Sequence, residues 1–176
     1  GNKVYEWNGV TTFTEKATVS ATAQLRGHWR SHNWQLDTNK LLLTDLNLVD
    51  PVKEWDGTTF ASVTFTDNSA SGAAFGTFKA KYLSIANERA IFSHIQDPGS
   101  VNPHMIVGSL RGDYTVISND DRPSSALSES DAFFLLTPDL RPINGHVEAF
   151  GTTVLSTEGG QLFNLTGVSA KDFAFA

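Results

Sequence analysis

The residues best suited to chemistry lie together in one short segment, Gly27-His28-Trp29-Arg30-Ser31-His32-Asn33-Trp34. If this segment is a β-strand, alternation places His28, Arg30, His32 and Trp34 on one face. Imidazoles accept and donate protons near neutral pH, and an arginine can hold a carboxylate or enolate oxygen. Because neither face of the strand is apolar, the pattern favours the polar lumen of a ligand-binding barrel. The alternative is an edge strand whose His and Arg side chains face water.

A second candidate pair is formed by His146 and Glu148, which follow an Asn-Gly turn signal and are two residues apart. On a strand, both side chains share a face with Phe150. A carboxylate beside an imidazole raises the pKa of the imidazole and fixes its tautomer, as in a general base with its orienting group. We therefore predict a catalytic pair, with an exposed strand start as the alternative.

Aromatic side chains and one more histidine are predicted to bind substrate. Tyr82 and Tyr114 lie among apolar neighbours, and their hydroxyls could polarise a substrate carbonyl if they reach a cavity. Trp34 and Phe150 extend the two polar faces described above, and His94 lies on a further strand. The predicted substrate-binding residues are therefore Trp34, Tyr82, His94, Tyr114 and Phe150.

The strand that carries His94 shows a clear alternation of its own. Strict alternation places Ile91, Ser93 and Ile95 on one face and His94 on the other. We predict that the first face belongs to the core, so that His94 points outward or into a polar lumen.

Metal, phosphate and serine-nucleophile chemistry is not predicted. On a strand His28 and His32 lie roughly 13 Å apart, too far to share one ion. The chain contains neither Gly-x-x-x-x-Gly-Lys nor Gly-x-Gly-x-x-Gly, and it lacks a Gly-x-Ser-x-Gly elbow. We therefore predict no metal and no organic cofactor. A metal site that recruits His94, His104 or His146 from neighbouring strands is the open alternative.

The elements that must position these residues are strands, because the dominant periodicity is two rather than 3.6. Segments such as 59–66, 74–83 and 89–96 are rich in Phe, Val, Ile and Thr, and turn signals such as Asn87-Glu88 and Asn144-Gly145 separate them. No long amphipathic helix competes. The sequence predicts one all-β domain over residues 1–176, with a single antiparallel barrel favoured and a β-sandwich as the alternative.

One short sequence pattern occurs twice in the chain. Val4-Tyr5-Glu6-Trp7-Asn8-Gly9 precedes Thr11-Thr12-Phe13, and Val52-Lys53-Glu54-Trp55-Asp56-Gly57 precedes Thr58-Thr59-Phe60. Asn-Gly and Asp-Gly are preferred hairpin turns, because both positions tolerate positive φ. We predict two similar hairpins whose Trp residues cover the sheet, with a duplicated ligand-binding element as the alternative.

Composition bounds the possible partners and compartments. The 176-residue chain has no cysteine and a formal net charge of −6, which argues against nucleic acid and anionic membranes as partners. No apolar run approaches the ~20 residues that a membrane-spanning helix needs. We expect a soluble protein, either cytoplasmic or secreted by a bacterium after loss of a signal peptide, with a small-molecule ligand and with homo-oligomers left open.

The closing segment, from Gly145-His146-Val147-Glu148-Ala149-Phe150-Gly151 to Leu165-Thr166-Gly167-Val168, resembles the closing strands of allene-oxide-cyclase-type and dirigent-type barrels. This resemblance covers the tail only and carries over no catalytic residue. It implies a calycin-like or allene-oxide-cyclase-like barrel that shapes a reactive intermediate in an apolar lumen without a cofactor.

Together these patterns predict a cofactor-independent lyase, isomerase or cyclase acting on a small, largely apolar molecule. His28 or His32 would move a proton while Arg30 holds negative charge developing on an oxygen. The second hypothesis is a non-catalytic domain that binds a lipophilic ligand or a carbohydrate, which requires at least two tryptophans exposed on one surface. The third is a structural or assembly protein.

Overall fold

A computed structural model describes residues 3–19, 29–68, 74–96, 100–118, 128, 131–149, 152–167, 170 and 173–176 of the chain. These residues are all-β, as the periodicity predicts, and none of them forms a helix that could cross a lipid bilayer. The strands are β1 (Lys3–Trp7), β2 (Phe13–Thr18), β3 (Trp29–Trp34), β4 (Lys40–Asp45), β5 (Lys53–Trp55), β6 (Phe60–Ser62), β7 (Phe65–Asp67), β8 (Ala74–Gly76), β9 (Lys79–Ala86), β10 (Arg89–Gln96), β11 (Val101–Gly108), β12 (Val116–Ile117), β13 (Phe133–Leu136), β14 (Ile143–Ala149), β15 (Thr152–Thr157), β16 (Leu162–Thr166) and β17 (Ala174–Phe175).

Several separate sheets, rather than one continuous sheet, contain these strands. Three four-stranded sheets have the orders β3-β4-β5-β6, β13-β11-β10-β9 and β14-β15-β16-β17, beside a three-stranded sheet β12-β7-β8 and the hairpin β1-β2. Pairing is antiparallel except between β12 and β7, which run parallel. Among the described residues no sheet closes on itself, so the predicted single antiparallel barrel is not confirmed and the coarser all-β prediction is.

The sheet β13-β11-β10-β9 lies between two hydrophobic cores. Alternate residues of neighbouring strands face opposite sides: Leu83 and Phe92 belong to the first core, whereas Tyr82 and Ile91 belong to the second. The first core also contains residues of β3, β4 and β7, and the second contains residues of β14, β15 and β16. Because both faces of β10 are covered, this strand is buried from its first residue to Ile95.

The repeated sequence pattern forms two similar hairpins, β1–β2 and β5–β6. In each turn a side-chain oxygen accepts backbone N–H groups: Asn8 Oδ1 from residues 10, 11 and 12, and Asp56 Oδ1 from residues 58 and 59. The following glycines, Gly9 and Gly57, have φ values of +82° and +92°. The hairpin prediction is therefore confirmed. Of the two indoles, however, only that of Trp55 is covered, because Trp7 is 57% exposed.

Hairpin β1–β2 lies against the sheet β3-β4-β5-β6. Tyr5 and Lys16 from the hairpin and Leu41, Leu43 and Trp55 from the sheet line a cavity of about 140 Å³ between them. The Nζ atom of Lys16 lies 5.3 Å from the centroid of the Trp55 ring. The Lys16 side chain thus packs against the Trp55 ring on the side that faces the hairpin.

We expect Gly108→Ala to lower the free energy of unfolding by about 1–3 kcal/mol, as overpacking in a core does. Gly108 pairs with Phe133 across β11 and β13, and a Cβ atom at position 108 would lie 2.2 Å from the Phe133 ring. Urea unfolding measures the loss. The double variant Gly108→Ala, Phe133→Leu removes the clash and should lose less than the sum of the single changes. Equal stability of Gly108→Ala and wild type would contradict the packing described here.

Candidate functional site

Six of the predicted site residues meet where β3, β10 and β14 approach β9. Strand β9 contacts β3 and β14, and β10 contacts both β9 and β14. Three parts of the chain that are far apart in the sequence, β3, the β9–β10 hairpin and β14, thus supply one group of side chains. We call it the histidine cluster: Arg30 and His32 from β3, Tyr82 from β9, His94 from β10, and His146 and Glu148 from β14.

His146 is the buried centre of the histidine cluster, with 4% of its surface exposed. Its Nδ1 atom lies 2.7 Å from the Ser93 hydroxyl, and its Nε2 atom lies 2.7 Å from the Ser84 hydroxyl. Burial, together with smaller electrostatic effects of His32 and Arg30 in the same direction, lowers the pKa of His146 to about 3. The ring is therefore neutral at physiological pH and holds both nitrogens in hydrogen bonds.

The hydrogen bonds continue beyond His146 into a chain. Ser84 Oγ lies 2.9 Å from Thr153 Oγ1, so that Ser93, His146, Ser84 and Thr153 are linked in series, and all four are buried. A neutral imidazole donates from one nitrogen and accepts at the other. The donors and acceptors in this series of hydrogen bonds can therefore be arranged in two ways. The two arrangements interconvert when the tautomer of His146 changes and the hydroxyl groups rotate.

A backbone irregularity at His94 in β10 turns two consecutive residues toward β14. The pairing register shifts between Ser93 and Ile95, and His94, between them, has φ +54°. As a result Ser93 reaches His146, while His94 Nδ1 lies 2.8 Å from the carbonyl oxygen of Ile143. The prediction that Ser93 and Ile95 share one face with His94 opposite them is wrong, because the left-handed conformation of His94 interrupts the alternation and Ile95 lies in the first core.

The hydrogen bond of His94 determines its tautomer. A carbonyl oxygen only accepts, so Nδ1 of His94 carries the proton and Nε2 is an acceptor. Burial lowers the pKa of His94, which keeps the ring neutral. The ring centroid lies 6.4 Å from that of Tyr82, whose hydroxyl donates to the carbonyl of Asn144 at 2.8 Å. Burial also raises the pKa of Tyr82.

Arg30, His32 and Glu148 form the solvent side of the histidine cluster. Arg30 and Glu148 are exposed and His32 is half-buried. The guanidinium of Arg30 lies 5.7 Å from the centroid of the Tyr82 ring, a cation–π distance. Burial lowers the pKa of His32, the carboxylate of Glu148 raises it, and the charge of Arg30 lowers it. Glu148 thus acts on His32, whereas hydroxyl groups and not Glu148 occupy the two nitrogens of His146.

Two of the predicted substrate-binding residues, Trp34 and Tyr114, lie in the first core and not in the histidine cluster. Trp34 is fully buried and donates from Nε1 to Asp37 at 2.8 Å. Tyr114 packs edge-on against it at 5.2 Å between ring centroids and donates its hydroxyl hydrogen bond to Glu54. Burial raises the pKa of Tyr114, and the hydrogen bond to Glu54 adds to this. Residues 28 and 150, the predicted catalytic His28 and substrate-binding Phe150, lie outside the described residues.

Three hydroxyl residues that are hydrogen-bonded in series with His146 were not predicted from the sequence as site residues: Ser84, Ser93 and Thr153. A signal was present, because Ser84 and Ser93 interrupt the apolar runs of β9 and β10. A hydroxyl in a strand that is buried on both faces needs a hydrogen-bond partner. The identity of that partner, an imidazole of β14, is not readable from either run.

Within the described ranges no three His, Asp or Glu side chains are grouped so that they could hold a metal ion. Comparison with protein-family models, with curated proteins and with solved structures finds no match to this chain. Its function therefore has to be inferred from the residues that meet in the histidine cluster.

Proposed function

We propose that this chain binds a small, largely apolar molecule bearing an acidic oxygen at the histidine cluster and moves a proton to or from it without an organic cofactor. The reaction class is an isomerisation, elimination or cyclisation. The observation that carries the proposal is the meeting of Arg30 and His32 from β3 with Glu148 from β14 above the buried His146. The barrel favoured by the sequence is not needed for this site, which lies where separate sheets meet.

His32 is the proton-transfer residue in this proposal. Its pKa is held below its usual value by burial, so the ring is mostly neutral at pH 7 and can act as a base. Once His32 takes a proton, the carboxylate of Glu148 stabilises the imidazolium. His146 exchanges no proton with substrate, because its pKa is about 3 and both of its nitrogens are hydrogen-bonded. Its role is structural, since it is the buried residue beneath His32 and Arg30.

Arg30 is the anion-binding residue. A guanidinium is permanently charged and binds a carboxylate or enolate oxygen through two parallel N–H groups. The Tyr82 ring beneath it limits the orientations of the guanidinium, and the Tyr82 hydroxyl is engaged by Asn144 and so does not compete for the same oxygen. Negative charge that develops on substrate therefore meets a preoriented cation.

We expect His32→Ala to slow proton exchange about 10²–10⁴-fold, the usual contribution of a positioned acid–base group. Arg30→Ala should weaken ligand binding about tenfold or more, because a hydrogen bond to a charged group contributes about 1.5–3 kcal/mol. The probe is 3-oxocyclohexanecarboxylate, a ring ketone with one carboxylate. NMR in D₂O follows its binding and the incorporation of deuterium beside the ketone.

Arg111→Ala is the matched control, because Arg111 is an exposed arginine paired with Glu88 on another part of the surface. It should leave both readouts unchanged, and all three variants should keep the thermal stability of wild type. Exchange that persists in His32→Ala would refute the assigned base. Loss of folding in either cluster variant would assign these residues to structure.

A further inference from the structure

A concave surface lies on the opposite face of β3 from His32. The pairing register aligns Asn33 with Leu41 and Leu41 with Trp55, so these three side chains form one row on the face of the sheet against which hairpin β1–β2 lies. At the end of this row an open groove of about 360 Å³ is lined by Asn33, Gln35, Asn39, Lys40, Trp55 and Asp56. We call it the Trp55 groove. Its volume falls within the usual range of small-molecule sites.

The polar side chains of the Trp55 groove are mostly amides. Asn33, Gln35 and Asn39 are exposed, and none of their side chains makes a hydrogen bond to another described residue. Each amide offers both donors and an acceptor. A sugar hydroxyl likewise donates and accepts, so amides match it better than groups that only donate or only accept.

The charges around the Trp55 groove disfavour an anion. The single lysine of the lining, Lys40, is already paired with Glu54 at 2.9 Å, and Lys16, on the hairpin side of Trp55, is paired with Glu6 at 2.8 Å. Two further carboxylates, Asp37 and Asp56, lie at the rim or beside it, and both are exposed. Hydrogen bonds from backbone N–H groups of Thr59 and Thr58 hold the pKa of Asp56 below its usual value, which keeps it ionised. The net charge is negative, which favours a neutral ligand.

The aromatic wall of the groove is rigid. Trp55 is half-buried, pairs with Leu41 and Phe60 in the sheet, and is backed by Lys16 on the hairpin side. The turn that follows it is fixed by the side chain of Asp56, which accepts at 2.8 and 2.6 Å. A preformed indole platform costs little conformational entropy on binding.

We infer that the Trp55 groove binds a neutral saccharide, whose apolar ring face stacks on Trp55 while its hydroxyls bond the amides of Asn33, Gln35 and Asn39. This site is separate from the histidine cluster, and its occupation does not depend on the proposed proton transfer. Two tryptophans, Trp34 and Trp55, line the groove, and only Trp55 offers its ring to a ligand, because Trp34 is buried. The two exposed tryptophans on one surface that the carbohydrate hypothesis required from the sequence are therefore not present in this groove, and the three amides supply the other contacts.

The test is an NMR titration of the full chain with methyl glucoside, methyl galactoside, methyl mannoside and N-acetylglucosamine. Each sugar is added up to ~100 mM, which saturates a site of millimolar Kd. We expect at least one sugar to shift the indole N–H signal of Trp55 and the amide signals of Asn33 and Asn39 in a saturable way. Asn33→Ala and Asn39→Ala should each weaken binding about threefold to tenfold, as the loss of one neutral hydrogen bond does.

Trp55→Ala should abolish saturable binding, and the two asparagine variants keep the test valid if Trp55→Ala fails to fold. Asn47→Ala is the matched control, since Asn47 is an exposed amide outside the groove, and it should bind as wild type does. The inference is overturned if no neutral sugar shifts these signals, if the asparagine variants bind with unchanged affinity, or if sulfate or glucose 6-phosphate binds more tightly than the neutral sugars.

Discussion

Acidification below pH ~6.5 is expected to lower the free energy of unfolding through His146 alone, with a slope that approaches about 1.4 kcal/mol per pH unit between pH ~5.5 and pH ~4.5. The pKa of His146 is about 3 in the folded chain, whereas a histidine in the unfolded chain titrates near ~6.5. Between these values the unfolded chain binds a proton that the folded chain does not. The contribution of His146 to the free energy of unfolding is therefore complete above the unfolded pKa, and it is lost as the pH falls toward the folded pKa.

Urea unfolding at a series of pH values measures this slope. The range above pH ~4.5 is chosen because the carboxylates with lowered pKa values, among them Asp37, Asp56 and Asp139, begin to contribute only below it. His32 and His94 add to the slope in the same direction, because burial lowers the pKa of both. His146 should supply the largest share because it is the most deeply buried of the three.

His146→Gln should flatten the pH dependence by removing its largest single contributor. Ser93→Ala is the informative control, because it removes a hydrogen bond but keeps the buried imidazole. It should lower stability at every pH by about 1–2 kcal/mol and leave the slope in place. Identical slopes for wild type and His146→Gln would show that His146 is not held neutral by burial.

Replacement of Arg89 by methionine is expected to cost about 3 kcal/mol or more. Arg89 is fully buried at the start of β10, and its Nη1 atom donates to the carbonyls of Ser109 at 2.5 Å and Asp131 at 2.7 Å. Its guanidinium also lies 5.8 Å from the ring centroids of Phe133 and Phe173, which stack on each other. Methionine fills much of the space but leaves both carbonyls without this donor in a buried site.

Urea unfolding compares Arg89→Met with Arg111→Met, the matched change at an exposed arginine. Arg111 forms a surface ion pair with Glu88, and such pairs contribute at most about 1 kcal/mol. Arg89→Lys should fall between the two, because an ammonium keeps the charge but not the planar arrangement of donors. Equal losses at positions 89 and 111 would contradict a structural role for the buried guanidinium.

Local signals in the sequence account for the strands and for their turns. The two-residue turn at Asn87 and Glu88 has positive φ at both positions, +51° and +60°, which is the geometry of a tight hairpin. The Asn8-Gly9 and Asp56-Gly57 turns likewise form where predicted. These features are predictable because a period of two and a turn residue act on their immediate neighbours.

The partners of the chemical residues depend instead on contacts between distant segments. His146 and Glu148 share a face of β14, as alternation requires, yet His146 binds serines of β9 and β10 while Glu148 acts on His32 of β3. Trp34 shares a face of β3 with His32 by alternation, yet it packs into the first core. Alternation assigns a face to a side chain, but which strand covers that face is decided by how the sheets stack.

The sequence alone therefore determined the all-β architecture, the hairpin turns and the strand on which Arg30 and His32 lie. The tertiary structure decided that these two residues meet β14, that His146 is buried and neutral, and that His94 turns the same way as Ser93. The physical reason is the backbone irregularity at His94 in β10 and the packing of β3 and β14 beside β9. A local pattern contains neither, because the first depends on how β10 pairs with β11 and the second on packing between segments far apart in the chain.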